Sequence, residues 1–276
     1  MIFFKKIVWS FFIAIFFSMI LINSNSEASQ GLDFSIDNMP RIIGLAVGFV
    51  PDYEGSDDYT IGAAPFVRFQ LEGHYQYLII RSTELQLNLI DHPWLRLGPS
   101  LNYRFGRDDV DDSVVKKMKE IDDTIEAGGF LGVEFIDKAN ARKRFSADVD
   151  FLADIGNEHD GYTITFGARG WYPISRMFDI GIGAAFVYAD DDYMETYFGV
   201  NGSDAAKSGL PIFSADSGVK DFRIFPMVVM HLNMNWHIGA GVQYRKLLSD
   251  AEDSPVVDKR GSDSQWIGGI GIAYSW

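Results

Sequence analysis

The strongest constraint on the fold lies in the last twelve residues. Trp266, Gly268, Ile270, Ile272, Tyr274 and Trp276 alternate with Gln265, Ile267, Gly269, Gly271, Ala273 and Ser275. Successive side chains of a strand point to opposite faces. One face is therefore apolar with aromatic ends and the other small or polar, which describes a strand between two different solvents. The preceding segment repeats the pattern, with Met234, Trp236, Ile238, Ala240, Val242 and Tyr244 opposite Asn235, His237, Gly239, Gly241, Gln243 and Arg245.

Similar alternation recurs upstream and predicts twelve strands, at roughly 41–50, 59–69, 74–81, 83–90, 93–105, 124–136, 143–155, 160–172, 177–189, 219–232, 234–246 and 265–276. A soluble β-sandwich and an outer-membrane barrel both show this period. Many of the runs are 10–13 residues long, whereas strands of globular proteins are most often about 5–6, and a tilted membrane crossing needs about 9–11. Aromatics near strand ends, and charges mixed with glycine on the second face, suit lipid outside and a lumen inside. Connections after the second, fourth, sixth, eighth and tenth strands are short, while those at 51–58, 106–123, 190–218 and 247–264 are long. The expected fold is an all-β, antiparallel transmembrane β-barrel of about 12 strands, with long external loops and both termini periplasmic.

Residues 1–28 read as an export signal. Lys5 and Lys6 precede an apolar run from Ile7 to Ile22, and Ser26 and Ala28 supply the small residues of a cleavage site near Ala28. The run is shorter than the roughly 20 residues of a membrane-spanning helix. The mature barrel is then 29–276. A formal net charge of −14 argues against a nucleic-acid partner. With no cysteine in the chain, disulfides, thiolate metal sites and cysteine nucleophiles are excluded.

Three stretches carry a family resemblance. The first runs Gly44–Tyr59 and contains Pro51-Asp52-Tyr53-Glu54-Gly55-Ser56. The second is Tyr197-Phe198-Gly199-Val200, continuing through Ser208-Gly209-Leu210-Pro211 to Gly218-Val219-Lys220-Asp221. The third is Leu247–Val257, with Asp250, Ala251, Ser254 and Pro255. In order and spacing the chain resembles the MltA-interacting protein (MipA/OmpV) family of Gram-negative outer-membrane proteins. Such barrels often close on phenylalanine; here the last residue is Trp276. The resemblance implies location in the outer membrane, amid lipid and lipopolysaccharide. It further implies a scaffold that joins a murein transglycosylase to a murein synthase, as described for the founding member. Other relatives are linked to adhesion, immunogenicity or antibiotic response. No catalytic residues are known for the family, so none are carried over, and neither a cofactor nor a metal is expected.

Asp52, Glu54, Asp57 and Asp58 crowd one loop and would offer oxygen ligands to Ca²⁺ or, through divalent cations, to lipopolysaccharide phosphates. A solvated turn set by Pro51 and Gly55 is the plainer expectation, and it extends to Asp108–Asp112 and Asp190–Asp192. The lumen face is assigned seven arginines (68, 96, 104, 144, 169, 223 and 245) and seven carboxylates (Glu84, Glu126, Glu134, Asp148, Asp150, Asp154 and Asp179). Such balance suggests a cross-linked, plugged or narrowly gated interior. Histidines 74, 92, 159, 231 and 237 lack the spacing of a zinc site, and His159 beside Asp160 is the only visible hydrolase pair. The expected function is non-enzymatic, a scaffold for murein enzymes, with a small-solute channel or a surface adhesin as alternatives.

Overall fold

The computed structural model of the chain describes residues 41–276. The leader expected at 1–28 lies outside these residues.

Twelve strands form one closed antiparallel barrel in which each strand pairs with its sequence neighbours. They are β1 (Ile42–Pro51), β2 (Tyr59–Gln70), β3 (Tyr77–Arg81), β4 (Glu84–Asn88), β5 (Leu95–Arg104), β6 (Thr124–Ile136), β7 (Arg144–Asp154), β8 (Tyr162–Pro173), β9 (Phe178–Ala189), β10 (Gly218–His231), β11 (Trp236–Leu247) and β12 (Ser264–Ser275). Closure comes from β1 against β12, in register from Ile42 opposite Ser275 to Phe49 opposite Gly268. A closed sheet has no edge, so every strand finds backbone partners on both sides, which a spanning sheet requires in hydrocarbon.

The two faces separate as the alternation predicts. Along β9, Phe178, Ile180, Ile182 and Phe186 are exposed, while Asp179, Gly181, Gly183 and Val187 between them are buried. Ile61, at 85% exposure, and Ile270, at 63%, belong to an outer belt of exposed apolar side chains. In water so large an apolar surface would drive aggregation; against lipid it is the solvated face. Aromatic contacts mark both rims. Trp236 meets Tyr274 at 5.1 Å between centroids near one end, and Tyr244 meets Trp266 at 4.9 Å near the other.

β3 and β4 are five residues each, shorter than the expected 74–81 and 83–90. The Asn88 side chain ends the ladder by taking its place. Its Oδ1 accepts from the Leu97 N–H at 3.0 Å, and its Nδ2 donates to the Tyr75 carbonyl at 2.8 Å.

The long loops follow β1, β5, β9 and β11 and so emerge at one end. The loop after β5 holds a 3-10 turn, Val115–Lys117. The loop after β9 holds α1 (Asp191–Phe198) and α2 (Gly202–Ser208), and that after β11 holds α3 (Asp250–Asp253) and α4 (Pro255–Asp258). Asp190 starts α1 by accepting from the Tyr193 N–H. Asn201 starts α2, and Gly209 ends it in the left-handed conformation at φ 79°. The other end carries the short turns and both strand termini, where Arg41 and Trp276 exchange backbone hydrogen bonds.

Candidate functional site: the loop cap and the ionic layer beneath it

The four long loops do not splay into solvent. Tyr193, Met194, Tyr197 and Phe198 of α1 pack with Ala215, Ile121, Ala251 and Val257 in one buried cluster. Tyr53, Val110, Val115, Met118, Val200, Leu210 and Val256 form a second. Each cluster draws on at least three loops, so together they make a small hydrophobic core over one end of the barrel. Isolated loops expose backbone polar groups; these satisfy theirs on one another.

Apart from residues 44–50, which run along the wall in β1, the residues of the three sequence stretches lie in or beside this cap. Pro51 ends β1. Asp52 accepts from the Asp111 N–H at 3.0 Å. Tyr53, Gly55 and Ser56 are buried, and Gln265 of β12 donates to the Tyr53 and Ser56 carbonyls. Gly199 closes α1, and Val200 exchanges backbone hydrogen bonds with Phe213. The Ser208 hydroxyl donates to the Asp204 carbonyl, next to Gly209 and the buried Leu210. Asp250 accepts from the Asp216 N–H, Ala251 is buried, and Ser254 donates to the Phe198 carbonyl at 2.6 Å from just before Pro255. The stretches are distant in sequence and adjacent in space.

The expectation of a solvated turn at 51–59 is therefore corrected. Gly55 holds φ 97°, and a Cβ there would stand 2.6 Å from Val257 Cγ2. Gly55→Ala is expected to lose about 1–3 kcal/mol of cap stability from backbone strain, before any movement of Val257. Faster cleavage of the loops by trypsin, with the barrel core still resistant, is the measurement. The other acidic runs are corrected at one residue each, since Asp109, Asp111, Asp191 and Asp192 stay exposed as expected. Asp112 is buried, accepts from the Val114 and Val115 N–H groups at 2.8 Å, and pairs with Arg260 at 2.5 Å. Asp190 caps α1 and also accepts from the Tyr162 N–H.

Beneath the cap lies an ionic layer that crosses the lumen. Glu54 receives Lys220 at 2.5 Å, Arg245 at 3.2 Å and the Tyr193 hydroxyl at 2.8 Å. Lys220 also pairs with Asp221 at 2.9 Å, and Arg223 grips the same carboxylate at 2.6 and 2.9 Å. From the far wall Arg104 donates to the Tyr193 hydroxyl at 2.9 Å and holds Glu126, which also meets His159 at 3.2 Å. The chain of contacts thus runs from β10 and β11 through α1 to β5 and β6. A β-bulge explains how consecutive residues both reach it. The β9–β10 register shifts between Val219 and Asp221, which turns Lys220 inward alongside Asp221.

Sequence reasoning named Lys220 and Asp221 only as part of a stretch and missed Tyr193. The available signal was a break in the period-two pattern at 219–221. The His159–Asp160 pair is not brought together as a catalytic dyad. His159 is fixed by Glu126 and by the Gly161 N–H, and Asp160 is exposed at the loop surface. His231 and His237 do face the lumen, joined at 2.8 Å and held by Asp179 and Ser275. Among the described residues no group of three or more histidine, aspartate or glutamate side chains is placed to hold a metal ion.

Charge in the cap follows its surroundings. Burial alone would push the Glu54 carboxyl up, but Lys220 and Arg245 overcome it and hold the group at about 2. Burial also pushes against Asp112, which Arg260 and two amides draw below the usual carboxylate range. A carboxyl lowered on folding contributes stability that is complete above its unfolded value and is lost as pH falls through its folded value. The cap is thus expected to hold at neutral pH and to loosen between about pH 4 and 2. The near-ultraviolet circular dichroism of its buried tyrosines, measured as pH is lowered, checks this.

A model of the family described as MltA-interacting protein MipA matches residues 43–276. The chain belongs to the MipA family. It is an outer-membrane β-barrel protein whose outer belt meets lipid. This MipA-family chain is 30% identical over 129 residues to outer membrane protein OmpV of Vibrio cholerae, a match covering 45% of the chain and 46% of OmpV. It is 29% identical over 125 residues to outer membrane protein Omp26La of Vibrio anguillarum, again 45% of the chain and 46% of the relative. Each match thus spans under half of the relative's own length. Among solved structures the barrel is similar to the NanC porin, with 11% identity, a TM-score of 0.48, and coverage of 86% of this chain and 100% of the porin.

Proposed function

We propose that this protein is a non-conducting, non-enzymatic scaffold of the outer membrane, exported with loss of the leader at 1–28 and oriented with the cap outside and both termini in the periplasm. Its partners in this reading are a murein transglycosylase and a murein synthase, which meet the short-turn end. The family description supports the first partner. The observation that carries the reading is the capped, cross-braced mouth. Residues of four loops share a core there, and Glu54, Tyr193 and Arg104 bridge opposite walls beneath it. A barrel whose loops serve to block it is better suited to presenting a surface than to passing solute.

Two measurements test this. Planar-bilayer recording of the folded protein is expected to show no large steady conductance. Crosslinking in whole envelopes, read by mass spectrometry, is expected to recover a murein transglycosylase or synthase. Steady conductance with no murein enzyme recovered would favour the second reading, a selective conduit, whose support is the partly water-accessible lumen below the ionic layer.

A further inference from the structure

The lumen charges do not balance level by level. Nearest the cap, Glu54, Asp221 and Glu126 are matched by Lys220, Arg223, Arg245 and Arg104 within hydrogen-bond reach. At the short-turn rim, Asp179 is taken by Arg142 at 2.5 Å and by His231 at 2.9 Å. Between these levels stand Arg68, Arg81, Arg96, Arg144 and Arg169, with four carboxylates. Glu84 pairs with Arg81 at 3.2 Å, and Asp150 accepts only from the neutral Ser100 and Gln86 among the described residues. Glu134 pairs with Arg96 at 3.0 Å, and Asp148 with Arg169 at 3.1 Å. Five arginines against four carboxylates leave one positive charge over, inside a chain whose net charge is −14.

The arginines of this level without an ion pair among the described residues are Arg68 and Arg144. Arg68 donates to the neutral Gln70 at 2.9 Å and lies over the Tyr77 ring at 4.4 Å. Arg144 lies over Trp171 at 5.3 Å, and its guanidinium makes no hydrogen bond or ion pair among the described residues. Trp171 in turn has room because Gly181 faces it; a Cβ there would stand 2.9 Å from the indole. The Nε–H groups of Arg68 and Arg169 are shielded and have no acceptor. All three arginines are only partly buried, so water reaches this part of the lumen. Arg144 and Arg169 are diagonal neighbours on β7 and β8, whereas Arg68 stands on β2 across the barrel.

We propose that this level of the lumen is a binding site for a small dicarboxylate or tricarboxylate, held by Arg144 and Arg169 on one wall and Arg68 on the other. A guanidinium presents a planar fork that matches a carboxylate. Because the forks come from two walls, a ligand with separated carboxylates fits them better than one compact anion. The flat faces of Tyr77 and Trp171 keep the arginines extended toward the lumen. The site holds whichever way the barrel faces, and it does not depend on a murein partner.

The test is titration calorimetry of the mature protein, folded in detergent, with citrate as probe and glycerol as the uncharged control at fixed ionic strength. One citrate per chain is expected, with no heat from glycerol. Arg144→Gln and Arg68→Gln should each weaken citrate binding at least about tenfold, the loss of one charge-assisted contact. Lys143→Gln removes a charge from the exposed turn beside Arg144 and should leave binding unchanged. Retention of the heat-modifiable gel shift shows that each variant is folded. Absence of saturable citrate binding overturns the site. So does equal binding by Arg144→Gln and Arg68→Gln, or equal weakening by Lys143→Gln, which would mark a diffuse field instead of a site.

Discussion

Asp221→Ala is expected to destabilise the folded barrel by about 3–5 kcal/mol, the usual loss when one partner of a buried ion pair is removed. Asp221 is fully buried and holds two cations, Lys220 and Arg223. Lys220 is 1% exposed, so it cannot turn to water when its carboxylate goes. Arg245 stands beside the same group through Glu54. Alanine would leave three positive side chains facing one carboxylate in a nearly dry layer. Asp221→Asn keeps the shape and part of the hydrogen bonding and should lose less. The temperature at which the folded form disappears on a semi-native gel measures both, and equal melting of Asp221→Ala and wild type would refute the role given to this layer. The double variant Asp221→Ala/Lys220→Met is the sharper comparison. Removing the cation together with its partner should recover much of the loss, because the penalty comes from the uncompensated charge more than from the missing attraction.

The same layer shows which parts of this molecule a reader of the sequence can see. The barrel is legible because each strand separates hydrocarbon from a polar lumen, and that demand is written at every second residue. β9 is the plainest case, with exposed Ile180, Ile182 and Phe186 alternating with buried Gly181, Gly183 and Val187. The lumen face was therefore assigned correctly for Arg96, Glu134, Arg169 and Asp148, which do pair inside. Lys220 was not, since a bulge shifts the alternation by one residue and leaves no other local mark. The cap was not legible for a different reason. Its contacts join positions more than a hundred residues apart, such as Ser56 with Gln265 and Glu54 with Tyr193. Nothing near Asp52 or Asp57 in the chain distinguishes a hydrated acidic turn from one folded under a helix. α1 and α2 are short and polar, and their stability comes from Asp190, Asn201 and the core they cover, not from amphipathic length.

The second large effect concerns the mouth of the barrel. Tyr193→Ala/Phe198→Ala is expected to convert a quiet barrel into one that shows frequent openings in planar bilayers. Both side chains are fully buried at the centre of the cap. Phe198 belongs to the core shared by the β9 and β11 loops, and its carbonyl anchors Ser254. Tyr193 links that core to the lumen through Glu54 and Arg104. Loss of a buried aromatic removes about 3–5 kcal/mol, and a cap of this size has few other large side chains to hold it shut. The barrel wall should survive, because its strands pair without help from the loops and close through β1 and β12. Opening should therefore appear as new conductance with an unchanged melting temperature for the wall. Tyr193→Phe provides the control, since it keeps the ring in the core and removes only the hydroxyl between Glu54 and Arg104. Conductance in Tyr193→Phe as large as in the double variant would mean that the ionic bridge, and not the apolar core, keeps the mouth closed. Silence in both would place the obstruction deeper, where the buried Ile79, Phe130 and Leu152 stand on the inner face of β3, β6 and β7.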